Sequence, residues 1–337
     1  MKMSSFLILI EEDSSGIVHN VPNSRYRKWG INSLGFRGRE TDLVKKEGEI
    51  RIVCLGQSET FGWQENEGKE WPSQLRVMLR DQFPMVEVIN ASVLGLHVKK
   101  RKDYIEKYVL QLKPDIMIVF RPRLLEYVID GMRGVERKDF ASQVKGKKIR
   151  NSMKESPSHI RVLANLGKMV NRCIPERLLT HYRIWRLSRK IRRKEKRHLI
   201  NKEALDKVPE NIILEYEKDL GSFIHFLKEN NIIPVLLSFP GLTTLSNKNN
   251  YEDISLAGRL LCIELSENGF IDGSIKFNDA ARRIAKEQNV VFIDMANLIP
   301  KTQEYFSDNY HYTDKGAETI AKNIYDVLIE TKLVCPE

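Results

Sequence analysis

A chain of 337 residues that is 42 % hydrophobic and 30 % charged has room for one large α/β domain or two modest ones, and is too apolar to stay disordered as a whole. Its four cysteines, Cys54, Cys173, Cys262 and Cys335, lie far apart, which excludes a CxxC metal pair and gives no ground for a disulfide framework; a reduced, cytoplasmic setting is the simpler expectation. The net charge of +10 belongs to one segment: residues 131–200 carry 21 Lys or Arg against 5 Asp or Glu, and the rest of the chain is net acidic.

The N-terminus, MKMSSFLILIEEDSS, has an apolar core from Phe6 to Ile10 that is shorter than the hydrophobic region of a signal peptide and runs straight into acidic residues. It reads as a strand or docked arm within a polar N-terminal segment, 1–47. No stretch reaches the roughly 18 apolar residues of a membrane-spanning helix.

GEIRIVCLG, 48–56, is short, β-branched and closed by glycine, the mark of a buried strand. WPSQLRVMLRDQF, 71–83, has helical spacing, with Pro72 in the first turn where proline is tolerated. VEVIN, 86–90, predicts a second strand, 100–112 a helix and DIMIVF, 115–120, a third strand. A helix is expected over 211–230, a strand over 232–239, a helix over 278–288, a strand over 290–294 and a final helix over 313–329. Strands that alternate with helices and read as continuous apolar runs predict a parallel sheet covered on both faces, built from 48–130 and 206–337. Ligands of such sheets bind beyond the carboxyl ends of the strands. Those ends carry Ser58, the loop from Asn90 to Gly95, Arg121 to Arg123, and the loop at Pro240.

Between the third and fourth strands, residues 131–205 read as a basic helical insertion or cap over that edge. In and before its densest part, RIWRLSRKIRRKEKRH (183–198), Leu178, Tyr182, Ile184, Trp185, Leu187 and Ile191 recur at three- and four-residue steps, the period of an amphipathic helix. A solvated helix face is the plainer reading. A surface for an anionic partner, a membrane face or an acidic glycan, is the alternative. Nucleic acid has the least support, because no recognition motif accompanies the charge.

The stretch LGQSETFGW, 55–63, sets a hydroxyl between two glycines at a strand end. Ser58 there is either a helix N-cap or a nucleophile. A serine nucleophile needs a histidine to take its proton and a third group to orient that histidine. Of seven histidines, His311 in SDNYHYTDKGAETIA stands three residues after Asp308, within one turn.

LGQSETFG, the loop NASVLG after the second strand, DNYHYTDKGAETIA near the C-terminus and NSLGFRGRE at 32–40 together resemble the SGNH (GDSL-type) hydrolases, over about residues 30–125 and 205–330. The resemblance implies a three-layer α/β/α sandwich with a flavodoxin-like parallel sheet. It implies Ser58 as nucleophile, His311 as general base and Asp308 as its orienter, with the N–H groups of Ser58 and Gly95 in the oxyanion hole. The implied reaction is hydrolysis of a carboxylic ester, such as an O-acetyl group on a saccharide, through an acyl-enzyme and without cofactor or metal. Some relatives transfer the acyl group instead.

Two positions depart from the family. Gln57 stands where aspartate usually precedes the serine. In VFRPRLLEY, 119–127, Leu124 and Leu125 fall where the family carries an asparagine that donates to the oxyanion. Loss of one such donor costs on the order of 10²–10³ in rate. Arg121 or Arg123 is the available substitute; pairing with Glu126 or Asp130, or with a substrate anion, is the competing use for either. A catalytically weakened binding protein on the same fold is therefore a further alternative.

Overall fold

In the computed structural model, the described residues are 8–120, 204–251 and 264–334, with Leu124, Glu126, Tyr127, Val128, Arg189, Arg193 and Cys262. Arg121, Arg123 and nearly all of the expected basic insertion lie outside them.

The N-terminal arm folds into two small antiparallel ribbons, β1 (Ile10–Glu12) with β2 (Val18–Asn20) and β3 (Arg25–Tyr26) with β4 (Trp29–Gly30). The apolar runs then build one sheet. β5 (Ile50–Leu55), β6 (Val86–Asn90), β7 (Ile116–Phe120), β8 (Ile233–Leu237) and β9 (Val291–Ile293) are all parallel, in the order β6-β5-β7-β8-β9. Counted within the sheet this is 2-1-3-4-5, the flavodoxin-like order, whose reversal between the first and third strands opens a crevice at their carboxyl ends.

Helices cover both faces because the strands are apolar on both faces. Along β5, Ile52 and Cys54 pack into one core with α2 (Trp71–Gln82) and α7 (Asp314–Glu330), while Val53 and Leu55 pack into the other. That second core takes in the arm, the segment that opens with α3 (Arg101–Tyr104), and the helices α4 (Glu210–Glu229) and α5 (Glu267–Glu287). With the one-turn helix α6 (Met295–Leu298) after β9, the result is a three-layer α/β/α sandwich. Among the described residues no helix is long and apolar enough to cross a membrane.

Two expected elements differ. The helix over 100–112 is α-helical only through α3; a widened π turn follows at Ile105–Val109 and a 3-10 turn at Leu110–Leu112. The widened turn keeps Tyr104, Ile105 and Val109, all buried, on the core side, and the Tyr104 hydroxyl donates to the Ala91 carbonyl at 3.1 Å. The helix expected to begin at 278 begins at Glu267 instead, capped by the Ser266 hydroxyl, which accepts the Gly269 N–H at 3.1 Å. Gly269 and Gly273 obscured its first half. They serve as points of close approach: a Cβ at Gly269 would lie 2.2 Å from the Leu205 carbonyl oxygen, and one at Gly273 2.6 Å from Leu124.

One buried cation ties the arm to the sheet. The Arg51 side chain, 1 % exposed, pairs with Glu49 and donates to the carbonyls of Asp42, Leu43, Val44 and Leu112 at 2.7–3.1 Å. An Arg51→Met variant keeps the apolar stem but leaves Glu49 and four carbonyls without their donor. It is expected to lose about 3 kcal/mol of stability, read from the urea midpoint; a loss below about 1 kcal/mol would show that this anchor is dispensable.

Candidate active site

At the carboxyl end of β5 the chain turns within one residue. Gly56 has no room for a side chain, since a Cβ there would lie 2.1 Å from Thr60 Oγ1. Gly62 closes the same turn at φ +79°, where a Cβ would fall 2.3 Å from that of Glu70. Between the glycines the one-turn helix α1 (Ser58–Phe61) starts at the serine itself. Gln57 occupies the N-cap position, so the Ser58 hydroxyl is not used as a cap.

The hydroxyl points across the rim to the other end of the chain. Ser58 Oγ lies 2.8 Å from His311 Nε2, and His311 Nδ1 lies 2.7 Å from Asp308 Oδ2. The second carboxylate oxygen of Asp308 accepts the N–H groups of Tyr310 at 2.8 Å and His311 at 2.9 Å. Burial pushes the Asp308 carboxyl upward, but the hydrogen bond and charge of His311 and these two N–H groups outweigh it and hold the carboxyl below its ordinary range. It therefore stays ionised through neutral pH and favours the tautomer with the proton on Nδ1, leaving Nε2 to face the serine.

Local sequence explains why this turn holds its shape. Ser307 N–H donates to the His311 carbonyl at 2.9 Å, so 307–311 forms a closed loop. Thr313 caps α7 by accepting the Gly316 N–H at 3.1 Å, and Gly316 is required because a Cβ there would lie 2.0 Å from the Tyr305 carbonyl oxygen. Asn309 fastens the loop from the side, its Oδ1 accepting both the N–H and the hydroxyl of Thr243. From the nucleophile's side, Asn66 donates to both carboxylate oxygens of Asp314.

Gly95 sits in the loop after β6 at φ +80°. That loop is bonded to the two residues before the serine: Val93 N–H donates to the Gly56 carbonyl at 3.2 Å, and the Gln57 side-chain amide donates to the Leu96 carbonyl at 2.6 Å. The Gln57 amide also bonds Glu126 Oε1, and Glu126 Oε2 accepts the Val98 N–H at 2.8 Å. Glu126, considered from sequence only as a partner for Arg121 or Arg123, is thus the hub that joins Gln57 to the start of the next helical segment. No local pattern marks a contact between positions so far apart in sequence. Leu124 is buried and helical and has no side-chain donor to offer; Leu125, Arg121 and Arg123 lie outside the described residues.

A cavity of about 680 Å³ opens at the same rim, with Thr243, Ser246, Asn278, Asn297 and Asn309 among its lining. It adjoins the Asp308 turn, and neither Ser58 nor His311 lines it.

No family model matches the chain, and no curated protein matches it. Solved structures similar to it include a catalytic mutant of an acetylxylan esterase from Geobacillus stearothermophilus, 12 % identical, covering 86 % of this chain and 95 % of that one with a TM-score of 0.47. Another is the lipase/acylhydrolase from Enterococcus faecalis, at 14 % identity, 84 % and 96 % coverage and a TM-score of 0.46. A third is an alpha/beta hydrolase enzyme from the metagenome of Lake Arreo, at 12 %, 85 % and 97 %, with a TM-score of 0.47.

The wall behind α1 holds a buried carboxyl, Glu65, which is 1 % exposed. Burial pushes it up to about 8 against the pull of its own N–H and that of Gln64; Glu70 adds to the rise and Lys28 opposes it. The folded chain therefore keeps the proton where the unfolded chain, with an ordinary value of 4.5, has lost it. Stability contributed here falls as pH rises from about 4.5 towards 8. A Glu65→Gln variant removes that penalty. The melting temperature of the variant relative to the wild type is expected to be higher at pH 8 than at pH 5, and an equal difference at both would show that Glu65 is ionised in the fold.

Proposed function

We propose that this chain is a serine ester hydrolase of the SGNH type, with Ser58 as nucleophile, His311 as general base and Asp308 as the group that orients it. The observation that carries the reading is the unbroken line Ser58 Oγ–His311 Nε2 at 2.8 Å and His311 Nδ1–Asp308 Oδ2 at 2.7 Å. A lone serine at a strand end is a common helix cap. One that begins its helix, leaves the cap to Gln57 and bonds an imidazole 253 positions away has the arrangement that nucleophilic catalysis needs.

In the proposed reaction Ser58 Oγ attacks the ester carbonyl as its proton moves to His311 Nε2. The imidazolium formed is stabilised by the Asp308 carboxylate. The carbonyl oxygen, now negative, takes hydrogen bonds from the backbone N–H groups of Ser58 and Gly95. His311 then gives its proton to the leaving alcohol, and an acyl group remains on Ser58. Water attacks that acyl group with His311 again as base, which releases the carboxylate and restores the serine.

The substrate class we assign is a short acyl ester on a polyhydroxylated molecule, an O-acetyl saccharide. The support is the cavity beside the Asp308 turn, where Thr243, Ser246, Asn278, Asn297 and Asn309 offer donors and acceptors to sugar hydroxyls and Phe239 and Phe270 offer an apolar surface to a sugar ring. The buried apolar Leu124 has no side-chain donor to give the proposed oxyanion hole, and a site with one donor fewer is slower by on the order of 10²–10³.

Hydrolysis of 4-nitrophenyl acetate and of an acetylated sugar tests the proposal. Ser58→Ala is expected to bring the rate to background, and Asp308→Asn to lower kcat by on the order of 10²–10⁴. Acetyl esters should be cleaved in preference to decanoyl esters. A folded Ser58→Ala variant with wild-type turnover would remove the nucleophile from the account.

A further inference from the structure

A second cavity, of about 280 Å³, lies behind Gln57, on the helical side of the sheet formed by α3, the helical residues Glu126 to Val128, and α4. Arg101, Lys102, Tyr127 and Phe223 line it, and Glu215 and Asp219 contribute carboxylates from α4. None of Ser58, Asp308 and His311 lines it.

What sets this cavity apart is two buried donors without hydrogen-bond partners among the described residues. Arg101 is 4 % exposed, its Nε is fully buried, and its guanidinium makes no hydrogen bond or ion pair among the described residues; Cζ lies over the Phe223 ring, 5.7 Å from its centroid. The Tyr127 hydroxyl, in a residue 2 % exposed, is likewise without a hydrogen-bond partner among the described residues. Burial, reinforced by Asp219, keeps that phenol protonated, so it can only gain by donating to an acceptor. Asp219 and Glu215 line the same cavity without bonding either group; burying hydrogen-bond donors without partners is costly, and buried polar groups in folded proteins are almost always satisfied. Two orphaned donors on one cavity are the complement of an oxyanion.

We propose that the Arg101–Tyr127 cavity is a binding site for a small carboxylate, held by the Arg101 guanidinium and the Tyr127 hydroxyl. A planar guanidinium beside a hydroxyl donor matches the two oxygens of a carboxylate. The carboxylates of Asp219 and Glu215 oppose a doubly charged phosphate in the same space. They offer acceptors to a hydroxyl on the same ligand, which makes a hydroxycarboxylate the best fit. The site borders the nucleophile's support, since Val98 lines the cavity and its N–H is bonded to Glu126, which in turn holds Gln57.

The test is a titration of the whole chain with lactate, acetate and inorganic phosphate at constant ionic strength set by chloride, read by calorimetry and by the shift in melting temperature. Lactate is expected to bind more tightly than acetate, and phosphate more weakly than either. Arg101→Met keeps an apolar stem and removes the guanidinium; in a sample shown by its melting transition to be folded, it should raise the dissociation constant for lactate about tenfold or more. Tyr127→Phe preserves the shape of the cavity and should raise it severalfold. Absence of any carboxylate binding above the chloride control would overturn the proposal. So would phosphate binding equal to or tighter than lactate, or unchanged lactate affinity in Tyr127→Phe or Arg101→Met.

Discussion

The hydrogen bond between Ser58 and His311 joins residues 253 positions apart, and the surrounding structure is arranged so that neither end can drift. A distance of 2.8 Å between side chains on separate turns is maintained only if both turns are fixed to one rigid body. The sheet is that body. Ser58 follows its first strand directly, and the Asp308 loop is braced by Thr243 from the end of β8 and by the start of α7. The contact between Asn66 and Asp314 then ties the loop after the serine to the helix after the histidine, so the two turns bear on each other as well as on the sheet.

Behind the serine, support comes from polar groups buried under the rim. Asn90 donates to the Thr60 carbonyl and accepts from Ser92, which sets the end of β6 against α1. Gln57 reaches both Leu96 and Glu126, so the position before the nucleophile holds the Gly95 loop and the helical residues after β7 at once. An uncharged amide can do this because it donates to a carbonyl and a carboxylate, where an aspartate would repel Glu126. The N-terminal arm contributes too: Arg37, 1 % exposed at its side chain, lies 3.7 Å from Glu70 and over the Phe61 ring, closing α1 from outside. The segment NSLGFRGRE is thus a wall of the site, although no atom of it belongs to the triad.

The sheet was legible in the sequence because a parallel strand buried on both faces reads as a mainly apolar, β-branched run, and IMIVF, IRIVCL with its single Arg51 and VEVIN with Glu87 and Asn90 still stand out as such. The residue types of the site were legible as well, since a serine between glycines and an aspartate three before a histidine are local patterns. What was not legible depends on contacts distant in the chain. Gly269 and Gly273 have low helix propensity, yet each is small because a neighbour from another element needs the space. Glu126 read as a partner for arginine, and only the fold brings it to Gln57. The unpaired state of Arg101 follows from three elements converging around one guanidinium, which no spacing rule encodes.

The most direct measurement of the central claim is the rate at which a fluorophosphonate labels the folded chain, with the modified peptide identified by mass spectrometry. The account predicts one label per chain, carried by Ser58, with labelling slowed at least a hundredfold in His311→Ala. Labelling at another residue, or labelling of Ser58 at an undiminished rate in His311→Ala, would contradict it.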